Sequence, residues 1–238
     1  MNVDLYLRVR EREGRIYSDD VVARLPAIRR NHPLAKEWQA RAASARRLNA
    51  YLARRSRPLS ILELGCGNGW LSNLLQNAGH RVIGLDRNRF ELGQAARVFS
   101  TAGGPLFVDA DIFVAPLPAK SLDAIIVVSA IQYFPDLTRL VKQLAQFLKT
   151  DGELLIADSP LYSDEEVERA VLATRKYYAA LGFPEMSARY FHHTLSALQS
   201  FGPILLSSPT QTLTRLKNFL GYADSPFPMI ALRKSNIE

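Results

Sequence analysis

At 238 residues, with 47% hydrophobic and 22% charged positions and a formal charge of +7, the chain has the composition of a folded globular protein and the length of one large domain or two small ones. Disorder is excluded as the default, and the single cysteine, Cys66, excludes an internal disulfide and a cysteine-rich zinc site. The opening MNVDLYLRVRERE has neither a signal-peptide apolar region nor a long apolar run, so a cytoplasmic protein without a membrane span is expected.

The basic excess is concentrated early. Residues 1–60 hold fourteen Lys and Arg against six Asp and Glu, an asymmetry that can steer anionic partners. Exposed helices are also commonly Arg-rich, so charge alone does not select a nucleic-acid partner. In SDDVVARLPAIRRNHP, Ser18 is a candidate N-cap, while Pro26 and Pro33 limit the length of any helix. Between Pro33 and Arg55, Trp38, Ala42, Ala45, Leu48 and Leu52 recur at three- and four-residue spacing, which predicts a helix with one apolar face. We read residues 1–58 as an N-terminal helical extension on a core of residues 59–238.

Beyond Ser60, short apolar runs alternate with amphipathic segments. Strands are predicted at Ser60–Leu64, Arg81–Asp86, Pro105–Asp109, Ala124–Ser129 and Glu153–Asp158, and helices near Trp70–Ala78, Glu91–Ser100 and Leu137–Leu148. This alternation predicts a doubly wound α/β domain with a mostly parallel sheet. The rhythm then breaks. SDEEVERAVLATRKYYAALG opens on a Ser163/Glu166 capping box and stops at Gly182, and a shorter helix is expected near Thr194–Ser200, which makes a helical lid insertion of about residues 160–200. Late runs at Ile204–Ser207 and Met229–Arg233 would complete a seven-stranded sheet as an antiparallel pair.

The most informative stretch is ILELGCGNGW, residues 61–70. Gly65, Gly67 and Gly69 follow the first strand, where open α/β sheets bind ligands, and let a ligand approach the main chain closely. About twenty residues later the second strand ends in GLDRN, where Asp86 is placed to accept hydrogen bonds from ribose hydroxyls. The loop lacks the G-x-G-x-x-G spacing of a dinucleotide site and the GK[ST] ending of a P-loop. Glu63, two residues before the first glycine, suits a cationic ligand better than a phosphate.

LELGCGNG resembles the first motif of the class I S-adenosylmethionine-dependent methyltransferases. ADIFVAPLPAKSLDAIIVVSAIQYFPD is similar to their third and fourth motifs, and LKTDGELLIADS to their fifth strand and its approach. The resemblance spans about Leu59–Ser159. It implies S-adenosyl-L-methionine as cofactor, with Gly65, Cys66 and Gly67 along its methionine part and Glu63 at the ammonium. It further implies Asp86, with Arg87 beside it, at the ribose, Asp111 and Ile112 at the adenine, and Ser129 and Tyr17 closing the site. Cys66 is expected to be structural, since no histidine adjoins it to activate a thiolate.

For the acceptor side the sequence offers Tyr133 after the fourth strand, His192 and His193 in the lid as bases for a hydroxyl acceptor, and Asp158 at the end of the fifth strand. The Asn/Asp-Pro-Pro-aromatic motif of amino-methylating relatives is absent, which argues against an adenine amine. No metal is expected, because the two histidines lack further ligands nearby. The expected activity is methyl transfer to a small-molecule or glycan-type acceptor at oxygen. An RNA or protein methyltransferase using the basic N-terminal segment, and a non-catalytic cofactor-binding scaffold, are the alternatives.

Overall fold

A computed structural model describes residues 3–208 and 223–237 of the chain. Seven strands form one sheet in the order β3-β2-β1-β4-β5-β9-β8. β1 (Ser60–Leu64), β2 (Arg81–Asp86), β3 (Leu106–Asp109), β4 (Leu122–Val128) and β5 (Leu148–Ala157) are parallel. β9 (Met229–Arg233) runs antiparallel to β5, and β8 (Ile204–Ser207) antiparallel to β9. The fold is the doubly wound α/β sheet with a late antiparallel pair that the hydrophobic pattern predicts. β5 is longer than expected: Leu148 already pairs with Leu122, and a register shift separates that pair from Glu153 and Ala124.

The central strands read as continuous apolar runs because both faces are covered. Ile61, Leu62, Ile125, Ile126 and Leu155 are fully buried. One face packs on α6 (Leu137–Phe147), whose Leu140, Val141 and Leu144 are buried at helical spacing. The other face packs on α3 (Ala35–Leu52) and α4 (Trp70–Asn77). In α3 the buried stripe contains Trp38, Ala45, Leu48 and Leu52, as predicted, together with Ala35 and Ser44, while Ala42 lies at its margin.

The sheet's strand order reverses between β1 and its two neighbours, β2 and β4, and this places a crevice over their C-terminal ends. Two segments roof that crevice. α1 (Val3–Arg12) was not distinguished in the sequence. Its Leu5 and Val9, four residues apart, pack on Tyr178 of α7 (Val167–Leu181) and on Met186. The Glu166 carboxylate accepts hydrogen bonds from the Ser163 amide and hydroxyl, and Gly182 ends α7 in the left-handed conformation. The lid also contains a small second sheet, β6 (Leu161–Tyr162) with β7 (His193–Thr194), followed at Ser196–Phe201 by a 3-10 helix where a short helix was expected.

Much of the early positive charge is engaged within the protein. Arg10 pairs with Glu13, Arg15 and Arg41 with Glu37, Arg47 with Asp224, Arg55 with Asp151, and Arg57 with Asp123. Among the described residues no helix is long and apolar enough to cross a membrane, and no group of three or more His, Cys, Asp or Glu is arranged to hold a metal.

Candidate functional site

The glycine loop connects β1 to α4, and its shape follows from three positive φ angles: 76° at Gly65, 51° at Gly67 and 76° at Gly69. Such angles are costly for residues with a side chain. The loop is held by the next strand. Asp86 Oδ2 accepts from the Gly67 amide at 2.8 Å, while Oδ1 accepts from the amides of Arg87 and Asn88 at 2.7 and 2.9 Å. Burial raises the Asp86 pKa, and these three donors oppose the rise. Asn88 then caps α5 (Arg89–Phe99) and donates to Glu91.

Above the loop lies a cavity of about 350 Å³, within the range of small-ligand sites. It brings together Glu63, Gly65, Cys66, Gly67, Asp86, Arg87, Asp111, Ile112, Ser129, Tyr17 and Tyr133. Asp111 pairs with Arg87 at 3.0 Å and accepts from the Phe113 amide. Ile112 is buried, and its carbonyl accepts from Gln143. The Tyr17 hydroxyl accepts from the Trp38 indole at 3.0 Å, and Trp38 packs edge-on to Trp70. Ser129, at φ 54°, donates through its hydroxyl to the Asp158 carbonyl. The Cys66 thiol is buried, which raises its pKa well above the ordinary value, and its sulfur lies in the packing between the loop and Gly84.

Four acids, Glu63, Asp86, Glu91 and Asp111, and four arginines, Arg10, Arg15, Arg41 and Arg87, line this cavity. Burial pushes Glu63 up to about 8; the Ser72 hydroxyl bonded to it opposes the rise and the Asp86 charge adds to it. Burial and the Asp86 charge push Glu91 up to about 7, with Arg10 acting in the opposite direction. A positive group entering the cavity would favour ionisation of both acids.

Several lining residues have no counterpart among the sequence candidates. Tyr6 and Arg10 of α1, Arg15, Trp38, Arg41 and Glu91 all border the cavity. Arg10 donates to the Tyr133 hydroxyl at 2.8 Å and lies over the Tyr6 ring, 4.7 Å from its centroid. Tyr6 and Arg10 are four residues apart on one helical face, the only sequence signal that could have located them. Next to this cavity lies a second of about 380 Å³. Arg10, Arg15, Arg41, Ser129 and Tyr133 border both. Asp158 belongs to the second, where its Oδ1 accepts from Ser44 at 2.8 Å.

His192 and His193 are not brought to either cavity. The His193 ring is buried, with Nε2 3.1 Å from the Ile131 carbonyl and 3.0 Å from that of Phe134, so it closes the turn that presents Tyr133. His192 Nε2 lies 2.8 Å from the Thr174 hydroxyl, and its ring packs beside Tyr162 and Tyr190. Burial lowers both pKa values. Adjacent residues of an extended segment face opposite ways, and here each side is occupied by packing.

Residues 62–156 match the family model described as a methyltransferase domain. This segment belongs to the class I S-adenosylmethionine-dependent methyltransferase family. The chain is 28% identical over 149 residues to a malonyl-[acyl-carrier protein] O-methyltransferase of Calditerrivibrio nitroreducens, a match covering 60% of this chain and 58% of that protein. It is 30% identical over 115 residues to a ubiquinone biosynthesis O-methyltransferase of Xanthomonas axonopodis pv. citri, covering 45% of this chain and 46% of the relative. The chain thus matches less than two thirds of the length of either relative. Among solved structures, the magnesium protoporphyrin IX methyltransferase of Synechocystis with bound S-adenosylhomocysteine superposes with a TM-score of 0.57 at 19% identity, over 95% of this chain and 91% of that one. That likeness is one of fold. The family's cofactor is S-adenosylmethionine.

Proposed function

We propose that this chain is a cytoplasmic S-adenosylmethionine-dependent methyltransferase acting at oxygen on a small-molecule acceptor. The observation that carries this reading is the pair of adjoining cavities divided by Ser129, Tyr133 and Arg10. One is floored by the glycine loop and bordered by Glu63, Asp86 and Glu91; the other reaches the lid. In this reading Gly65, Cys66 and Gly67 run beside the methionine part of the cofactor, and Glu63 and Glu91 face its cationic end. Asp86 takes the ribose hydroxyls, Asp111 and Ile112 the adenine, and Tyr17 closes the site. S-adenosylmethionine supplies a methyl group activated on sulfur, so the protein's own task is to align the acceptor and hold its proton. Residues 1–58 would serve as the extension that completes the roof. The internal ion pairs of Arg10, Arg15 and Arg41 favour a small acceptor over RNA, because cations tied to glutamates are poor phosphate contacts.

The test is calorimetric binding of S-adenosylmethionine, with NADH as control, followed by detection of S-adenosylhomocysteine formed with candidate acceptors. Cofactor binding without any methylated product would favour a scaffold role. The raised acids add a pH signature. Glu63, at about 8, is mostly protonated at pH 7 in the free protein, and a neighbouring cation lowers its pKa. Binding should therefore release protons, and affinity should rise between pH 6 and 8. Titrations in buffers of different ionisation enthalpy measure that release, and a pH-independent affinity would separate Glu63 from the cationic end.

Tyr133 is the second target. Its hydroxyl is held by Arg10 on the wall between the cavities. Tyr133→Phe should lower kcat about tenfold or more with little change in cofactor affinity, the pattern of a group aligned for transfer. An unchanged kcat would reduce Tyr133 to packing against Tyr6 and Tyr190.

A further inference from the structure

The four arginines of the first cavity differ in how much of each guanidinium is already committed. Arg10 donates from Nη1 to Glu13 and from Nη2 to the Tyr133 hydroxyl, each at 2.8 Å. Arg15 spends both Nη atoms on Glu37, at 2.5 and 2.7 Å, and its Nε lies 3.1 Å from Glu13. Arg87 places Nη1 on Asp111 at 3.0 Å. Arg41 donates only from Nε, to Glu37 at 3.0 Å. Among the described residues neither Nη atom of Arg41 has a hydrogen-bond partner, and neither is buried.

The surplus charge falls on the same residue. Glu13 stands between Arg10 and Arg15, and Glu37 between Arg15 and Arg41, so three cations share two carboxylates and Arg41 ends the ladder. Glu37 holds Arg41 by its Nε edge, which leaves the two Nη groups at the tip to take both oxygens of one carboxylate. Arg41 borders both cavities; Glu37, bonded to its Nε, borders only the second, whereas Trp38, with the guanidinium 5.4 Å from its ring centroid, borders only the first. Trp38 in turn bonds Tyr17 and packs on Trp70, the residue after Gly69. The Arg41 charge also acts on Glu91, whose Oε2 lies 3.4 Å from the position a Gly67 Cβ would take. Arg41 therefore stands at the glycine-loop end of the first cavity.

We infer that Arg41 is a cofactor-binding residue whose paired Nη groups receive the carboxylate of the methionine part of S-adenosylmethionine. This rests on the cofactor reading of the first cavity. That carboxylate is the cofactor's one anionic group, and it sits on the carbon that carries the ammonium assigned to Glu63 and Glu91. The amino-acid end then meets acids for its ammonium and a free guanidinium fork for its carboxylate. Arg10 and Arg15 have no Nη group left to offer, and Arg87 is paired with the acid assigned to the adenine.

The test is calorimetric binding of S-adenosylhomocysteine and of its decarboxylated analogue, which keeps the amine and lacks only the carboxylate. The wild-type chain should bind S-adenosylhomocysteine about tenfold or more tighter than the analogue, as for hydrogen bonds between charged groups. Arg41→Gln should weaken S-adenosylhomocysteine by a similar factor and leave the analogue unchanged. Arg41→Lys, which keeps the charge without the fork, should recover only part of the loss. Glu37 stays bonded to Arg15 in both variants, and melting temperatures check the fold. Equal weakening of both ligands in a folded Arg41→Gln protein would reduce Arg41 to packing on Trp38 and overturn the inference, as would an unchanged S-adenosylhomocysteine affinity. A wild-type chain indifferent to the carboxylate would overturn it without any variant. Failure of the wild-type chain to bind either ligand would instead overturn the cofactor reading, and this assignment with it.

Discussion

Asp86→Ala is expected to weaken S-adenosylmethionine binding by about 3 kcal/mol, roughly a hundredfold, as for the loss of hydrogen bonds to a charged group. The effect has two sources. The carboxylate is the expected ribose acceptor, and it also accepts from the amides of Gly67, Arg87 and Asn88. Removing it releases the loop from the second strand while removing a ligand contact. Asp86→Asn keeps one acceptor oxygen and should recover part of the loss. Asp109→Ala provides the control, since Asp109, at the end of the neighbouring strand β3, pairs with Arg89 of α5 and does not border the cavity. Calorimetry on the three variants, with melting temperatures checked, decides the matter. Unchanged affinity in a folded Asp86→Ala protein would refute the assignment.

Much of the first cavity was legible in the sequence because it is built by backbone constraint. Gly65, Gly67 and Gly69 take positive φ values that few other residues tolerate, Asp86 ends β2, and Asp111 follows the end of β3 by two residues. The roof was much less legible. Tyr6 and Arg10 reach the cavity only because α1 docks on α7, a contact between segments more than 160 residues apart, and an Arg-rich helix reads as solvent-facing until its partners are known. Glu91 has the same history. In sequence it is a first-turn acid that suits a helix N-terminus, and only burial beside Asp86 changes its protonation.

The acceptor side shows the opposite failure. His192 and His193 attract notice because histidine titrates near neutrality, yet their surroundings consist of backbone carbonyls, Thr174 and tyrosine rings. Their packing fixes the segment that carries Tyr190, which borders the second cavity. Arg41, at the first cavity, has no distinguishing sequence feature. Its interest comes from two uncommitted Nη atoms, a property that depends on the position of every neighbouring group.

The glycine loop also carries stability. Gly69 lies at φ 76°, directly before α4, and a Cβ built there would fall 2.5 and 2.6 Å from two Phe107 ring atoms and 2.8 Å from Ala95 Cβ. Gly69→Ala combines left-handed strain of about 1 kcal/mol with overpacking of about 2 kcal/mol. The sum of about 3 kcal/mol should lower the melting temperature by roughly 6–12 °C for a chain of this size. Gly79→Ala separates the two contributions. Gly79 has φ 94° but nothing within 4 Å of its Cβ position, so it should show the strain alone, a drop of roughly 2–4 °C. Differential scanning calorimetry on both variants measures the difference. Equal losses would mean that Phe107 and α5 yield without cost. A larger loss at Gly69 would locate the constraint in the contact between the loop, α5 and β3, so that the glycine ahead of α4 also fixes how the loop packs on the neighbouring helix and strand.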